Sequence, residues 1–163
     1  MGRLLIPLIL CTAGVLKEPL LYLSLYLKEN RSTYYALLDS VRREGDWEGW
    51  LEFFLSGVRE TAEAAVTTAK RLMLLFEGDQ RRIQSLGRQA GSALRVHDAF
   101  KARPVTSLSD IQKRSNLSAP TVNSMVLLLA ELGIVREVTG RRRNRVYAYD
   151  RYLSILSEGT ETP

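Results

Sequence analysis

One cysteine, Cys11, and one histidine, His97, occur in 163 residues. A single cysteine excludes an internal disulfide framework and any multi-cysteine zinc site. A single histidine with no cysteine near it leaves no nucleophile–base pair and no cluster of imidazole ligands. His97 therefore reads as a helix-face residue rather than a catalytic base. No apolar run reaches the roughly 18 residues that a membrane span needs. The compositional marks of disorder are missing too, since 45% of the residues are hydrophobic and 25% charged, the values of a folded globular protein. This length holds one ordinary domain or two small ones.

The N-terminus resembles a short secretory signal, with Arg3 followed by Leu-Leu-Ile-Pro-Leu-Ile-Leu and then Cys11. Leu10, however, is larger than the small residue that such cleavage prefers, and other secretory marks are absent. The expected setting is cytoplasmic, without a membrane partner.

What is present is an uneven charge. The net charge is +5, yet residues 1–87 are neutral overall while residues 88–157 carry +7. A polyanionic partner would be drawn to the second half.

Residues 4–13 are almost wholly apolar, a pattern expected of a segment buried on all sides. Ser32-Thr33 can cap a helix bearing Tyr34, Tyr35, Leu37, Leu38 and Val41. Gly45-Asp46 is a stop followed by an N-cap. From Trp47 the positions Trp50, Leu51, Phe54, Val58, Ala62, Ala65, Ala69, Leu72 and Phe76 recur every three or four residues, predicting a long amphipathic helix. Asp46, Glu48, Glu52 and Glu60 gather near its start, where they suit the helix dipole better than acid–base work. Gly78-Asp79 reads as a break, with a further helix from about Gln80 to Lys101. Gly87 and Gly91, four apart on its face, suggest close helix packing. Arg103-Pro104 ends that helix, because a residue before proline is pushed out of helical geometry.

The pattern then shortens. Val105-Thr106-Ser107 fits a brief strand. Ser107 and Asp110 form a capping box for a helix through Ser115. Asn116-Leu117 makes a turn, and Ser118 caps a second helix with Pro120 in its first turn. Val122, Met125, Val126, Leu129 and Leu132 are its buried stripe, ended by Gly133. Ile134–Val138 and Arg145–Tyr149 read as paired strands around a basic tip, Thr139-Gly-Arg-Arg-Arg-Asn144. Helix, turn, helix and two-stranded wing in that order resemble the winged helix-turn-helix superfamily over about residues 104–157. Such a motif sets its second helix in the major groove and its wing on the backbone. The DNA-binding candidates are then Thr121, Asn123 and Ser124 on the helix and Arg141, Arg142, Arg143 and Arg145 on the wing. The helix positions carry no cation, so base readout is weak. The alternatives are a DNA-binding transcriptional regulator and a module that packs or dimerises without DNA.

A second resemblance covers nearly the whole chain. Gly2-Arg3-Leu-Leu-Ile-Pro7-Leu8, Pro19-Leu-Leu-Tyr-Leu-Ser24-Leu-Tyr26, Asn30-Arg-Ser-Thr-Tyr34-Tyr35, Gly45-Asp-Trp47-Glu-Gly-Trp50, Phe53-Phe-Leu-Ser-Gly57-Val58 and Ser85-Leu-Gly-Arg88 stand in the order found in the Fic family, which this chain resembles. Members typically transfer AMP from ATP to a protein hydroxyl. They use a His-Pro-Phe stretch, a magnesium-holding acidic residue and a Gly-Asn-Gly-Arg-x-x-Arg turn. In this sequence Gly2 and Arg3 match only the last two motif residues. The resemblance implies that Arg3 addresses terminal phosphates or an inhibitory glutamate, and that Tyr35 lies near adenine. ATP and magnesium belong to a full-length member; no cofactor and no catalytic residue is expected in this chain.

The expected fold is mainly α. It comprises a partial Fic helical bundle over residues 1–77, a connecting helix over 78–103, a winged helix-turn-helix with a two- or three-stranded wing over 104–157, and a flexible tail over 158–163. One arginine cannot by itself stabilise a transferring phosphoryl group, so the chain reads as an inactive C-terminal region acting as a binding module. The apolar run 4–13, deprived of preceding helices, predicts self-association.

Overall fold

A computed structural model describes residues 9, 11–14 and 23–158. It is mainly helical, with a small three-stranded antiparallel sheet among the described residues. The chain divides into two compact units, Met1–Thr67 and Thr68–Pro163. Arg3 and most of the apolar run 4–13 lie outside the described residues. Of that run Ile9, Cys11, Thr12 and Ala13 are described; Cys11 is half-buried and the other three are exposed, so the described part is not buried on all sides.

The first unit contains α1 (Leu23–Glu29), α2 (Arg31–Glu44) and the opening turns of α3 (Trp47–Gln84). Only Asn30 separates α1 from α2. Its side-chain amide donates to the Tyr26 carbonyl at 3.1 Å, so α2 begins ahead of the expected Ser32-Thr33 cap. Gly45 closes α2, its N–H donating to Val41 O. Asp46 starts α3 by accepting the Gly49 N–H at 3.0 Å, one of the orphan donors that an N-cap satisfies. Leu23 and Leu27 are fully buried. The Tyr26 ring lies flat against Gly57, where an added Cβ would come within 2.5 Å of it. Tyr26 also meets Phe53 at a ring separation of 5.3 Å.

The second unit holds the rest of α3, a 3₁₀ turn (Gly87–Gln89), α4 (Ala90–Ala102), β1 (Val105–Ser107), α5 (Leu108–Ser115), α6 (Ala119–Glu131), β2 (Arg136–Glu137), β3 (Val146–Ala148) and α7 (Asp150–Ser157). Its core joins Ile83, Val96, Phe100, Ile111, Val126 and Leu129 to Tyr147 and Tyr149. The sheet order is β1-β3-β2, with Thr106 opposite Tyr147 and Glu137 opposite Tyr147 on the other side.

Several local expectations hold. Ser107 caps α5 by accepting the Asp110 N–H at 3.3 Å. Asn116 takes the left-handed conformation at φ 51°. Ser118 caps α6 by accepting the Thr121 N–H, with Pro120 in the first turn.

Three do not. Gly78-Asp79 does not break the helix, for α3 continues to Gln84. Asp79 is drawn into the helix by tertiary partners on the far end of the chain, a reason invisible in local sequence. The break falls instead at Gly87, whose φ of +61° suits glycine. Gly87 and Gly91 do not serve close packing, as a Cβ on either would meet nothing within 4 Å. The wing strands are also shorter than expected, at two and three residues. Asp150–Ser157, where no helix was expected, forms α7.

Candidate nucleic-acid interface

The β2–β3 hairpin is held at both ends. At its base Arg136 is bidentate to Asp150, Nε donating to Oδ2 at 2.6 Å and Nη2 to Oδ1 at 3.3 Å. This pairing raises the guanidinium pKa further. Near its tip the Glu137 carboxylate accepts from the Thr139 N–H at 3.1 Å and the Thr139 hydroxyl at 2.5 Å. The Thr139 hydroxyl, with further help from the Gly140 and Arg141 amides, holds that carboxyl below its usual range. Thr139 Oγ1 in turn accepts from the Val146 N–H at 3.3 Å. Gly140 at φ 61° and Asn144 at φ 53° turn the chain through conformations that ordinary residues resist.

This arrangement decides where the positive charge goes. Glu137 is spent on backbone amides, and Asp150 on Arg136. Arg141, Arg142 and Arg143 are exposed and enter no ion pair among the described residues. Arg145 differs: it is half-buried and its Nε donates to the Arg141 carbonyl at 3.1 Å. It therefore shapes the tip, while the other three present guanidinium groups to solvent.

On α6, Asn123 and Ser124 are exposed and Thr121 is half-buried. The Thr121 hydroxyl is already engaged with Ser118 Oγ at 2.8 Å, so it belongs to the cap. Leu127 follows on the same outward face, 42% exposed. With exposed Glu131 at the end, this face is uncharged to acidic, unlike the hairpin. Exposed Lys113 and Arg114 end α5, just before the turn at Asn116, whose carbonyl accepts from Arg95 at 3.3 Å.

Of the nucleotide-site candidates, Arg3 lies outside the described residues. Tyr35 is 49% exposed on α2, edge-on to Tyr34 at 5.3 Å and beneath the Arg31 guanidinium at 5.6 Å. Among the described residues no group of three or more His, Cys, Asp or Glu side chains is placed to hold a metal. Nor is any described helix long and apolar enough to cross a membrane.

A buried polar chain lies behind the sheet, and its members carry no motif that sequence reading could find. Tyr149 donates its hydroxyl proton to Asp79 Oδ2 at 2.6 Å, and its oxygen stands 3.3 Å from His97 Nε2. Arg82 and Arg151 approach the other Asp79 oxygen at 3.0 and 3.6 Å. Burial and the carboxylate push the Tyr149 phenol well above its usual range. Burial, helped by Lys101, lowers the His97 imidazole against the opposing pull of Asp79 and Asp98. His97 is thus a core residue rather than one on an open helix face. All three groups are sealed from solvent, so they position elements and offer no reactive group to a substrate. No protein-family model matches the chain.

Proposed function

We propose that residues 104–157 are a winged helix-turn-helix and that the chain acts as a nucleic-acid-binding module led by its wing. The observation that carries this reading is the trio Arg141, Arg142 and Arg143, outside any ion pair among the described residues, on a hairpin whose one carboxylate, Glu137, is engaged by Thr139. Guanidinium groups suit phosphate oxygens, and releasing the counterions of DNA makes such binding strongly salt-dependent. The neutral outward face of α6 favours backbone contact over base readout. The resemblance to the Fic family supports placing the chain as a C-terminal region of such a protein, cytoplasmic and without transferase activity of its own. A transferase needs a base, a metal-binding acid and a phosphate cradle together, and this sequence carries no such set. Any ATP-dependent labelling of a protein by the purified chain would contradict the inactive reading.

The test is a fluorescence-anisotropy titration of the full chain against a duplex of roughly two helical turns. Affinity should fall steeply between about 50 and 200 mM salt. Arg141→Ala with Arg143→Ala should weaken binding and make the log–log salt slope shallower by about two charges' worth. Absence of binding at the lowest salt overturns the proposal.

A further inference from the structure

The tip of the wing already holds an anion, and the chain itself supplies it. The Glu137 carboxylate accepts from the Thr139 N–H at 3.1 Å and from the Thr139 hydroxyl at 2.5 Å. The Gly140 and Arg141 amides add backbone hydrogen bonds to the same carboxylate. Three successive N–H groups and a hydroxyl thus converge on one oxyanion. Gly140 permits this, because its φ of +61° turns the chain so that neighbouring amides face one side. Such a run of amides is a nest, a concavity that selects anions and recurs in phosphate sites. Thr139 is fixed in turn, its hydroxyl oxygen accepting from the Val146 N–H across the hairpin at 3.3 Å.

The carboxylate uses only part of what the tip offers. The exposed Arg141, Arg142 and Arg143 run on from the nest, and no ion pair among the described residues joins Glu137 to any of them. Backbone amides and one hydroxyl hold Glu137; the guanidinium groups stay open. A phosphodiester arriving from outside is not tethered to β2, so it can take the amides and the guanidinium groups together. The oxyanion that fits this tip best is therefore one with charged neighbours on the same polymer, able to meet several arginines at once.

We infer that the wing tip is an oxyanion site for a backbone phosphate, which Glu137 fills in the free chain and yields to nucleic acid. The inference rests on the wing-led binding proposed above. No covalent bond changes in the exchange: one oxyanion leaves the amides and another takes its place. Glu137 is then an internal competitor, raising the threshold for isolated anions while a duplex, held also by the arginines, displaces it. The sign of its removal follows. A carboxylate that only braced the turn would weaken binding when neutralised, whereas a competitor strengthens it.

The experiment uses that sign. Glu137→Gln keeps the side chain's shape and an acceptor for the Thr139 hydroxyl but removes the charge. Glu131→Gln, at an exposed position near the end of α6, removes the same charge away from the tip and is the control. Inorganic phosphate is titrated into the isotope-labelled full chain, with chloride holding the ionic strength constant, while amide resonances are followed. In Glu137→Gln the Thr139, Gly140 and Arg141 amides should reach half their shift at about tenfold lower phosphate than in the natural chain or Glu131→Gln. Resonances elsewhere should stay in place, showing that the fold is kept. Against duplex, Glu137→Gln should bind about threefold or more tighter than Glu131→Gln. Tip amides of Glu137→Gln that phosphate does not move overturn the site. So does a Glu137→Gln chain that binds duplex no tighter than Glu131→Gln. Tip amides that respond to phosphate in a chain that binds no duplex keep the anion site and overturn the wing-led binding instead.

Discussion

His97 shows how a residue with no motif around it acquires a role from its surroundings. Its ring is fully buried, with Nε2 against the Tyr149 hydroxyl and no partner for Nδ1 among the described residues. Burial disfavours the imidazolium, so the native pKa lies below the ordinary 6.5. The unfolded chain then binds a proton at a pH where the native chain does not. Stability should accordingly be full above about pH 6.5, decline as the pH falls below it, and level off once the native imidazole titrates. Urea unfolding at a series of pH values from about 7.5 to 5 should show this slope. His97→Gln, which keeps a neutral polar side chain, should flatten it. An unchanged slope in that variant would mean that another group is responsible. Glu137 and Glu158, both held low by hydrogen-bonding partners (Thr139 and Arg71), act in a lower window, as the pH falls through the carboxylate range.

At the scale of elements, Asp79 determines how α3 continues and what it meets. Read locally, Gly78-Asp79 is a stop, because glycine weakens a helix and aspartate prefers its ends. Asp79 instead accepts from Tyr149 just past β3 and is flanked by Arg82 on its own helix and Arg151 on α7. Its side chain is 2% exposed, while those of Arg82 and Arg151 are 45 and 61% exposed. The burial difference sets the expected costs. Asp79→Ala should destabilise by about 3 kcal/mol or more, since it strands a buried hydroxyl beside two cations. Arg151→Ala should cost less than about 1 kcal/mol, as solvent already screens that pair. Chemical denaturation of both variants separates the two, and equal losses would assign the stability to the ion pair rather than to the buried Tyr149–Asp79 contact. By contrast, the caps of α5 and α6 and the turn at Asn116 were readable beforehand. Each depends on residues no more than four positions apart, where the physics is local.

At the scale of the whole molecule, the +7 borne by residues 88–157 does not translate into an evenly basic surface. Arg136 and Arg151 are engaged by carboxylates, and Arg145 folds back on its own loop. Among the described cations of the second unit, Arg141, Arg142 and Arg143 on the hairpin, Lys113 and Arg114 at the end of α5, and Lys70, Arg88 and Arg95 are exposed, while the exposed face of α6 contributes Asn123, Ser124, Leu127 and Glu131. If the wing leads binding, the chain should discriminate poorly among duplexes. Competition between a mixed-sequence and a re-ordered duplex of equal length should give affinities within about tenfold, well short of the 10³-fold or more of a sequence-specific regulator. A larger preference would return the leading role to α6.

Sequence by itself determined what depends on near neighbours and on composition. That includes the helical character, the long amphipathic α3, the capped α5–turn–α6 order, the basic hairpin and the scarcity of residues fit for metal or nucleophilic chemistry. Each follows from a period, a cap or a count. Tertiary structure alone decided which charges remain free. It also decided that Asp79, His97 and Tyr149 belong together, 70 positions apart at the extremes. Those outcomes depend on which distant groups reach one another and on what burial does to their charge. No window of neighbouring residues contains that information.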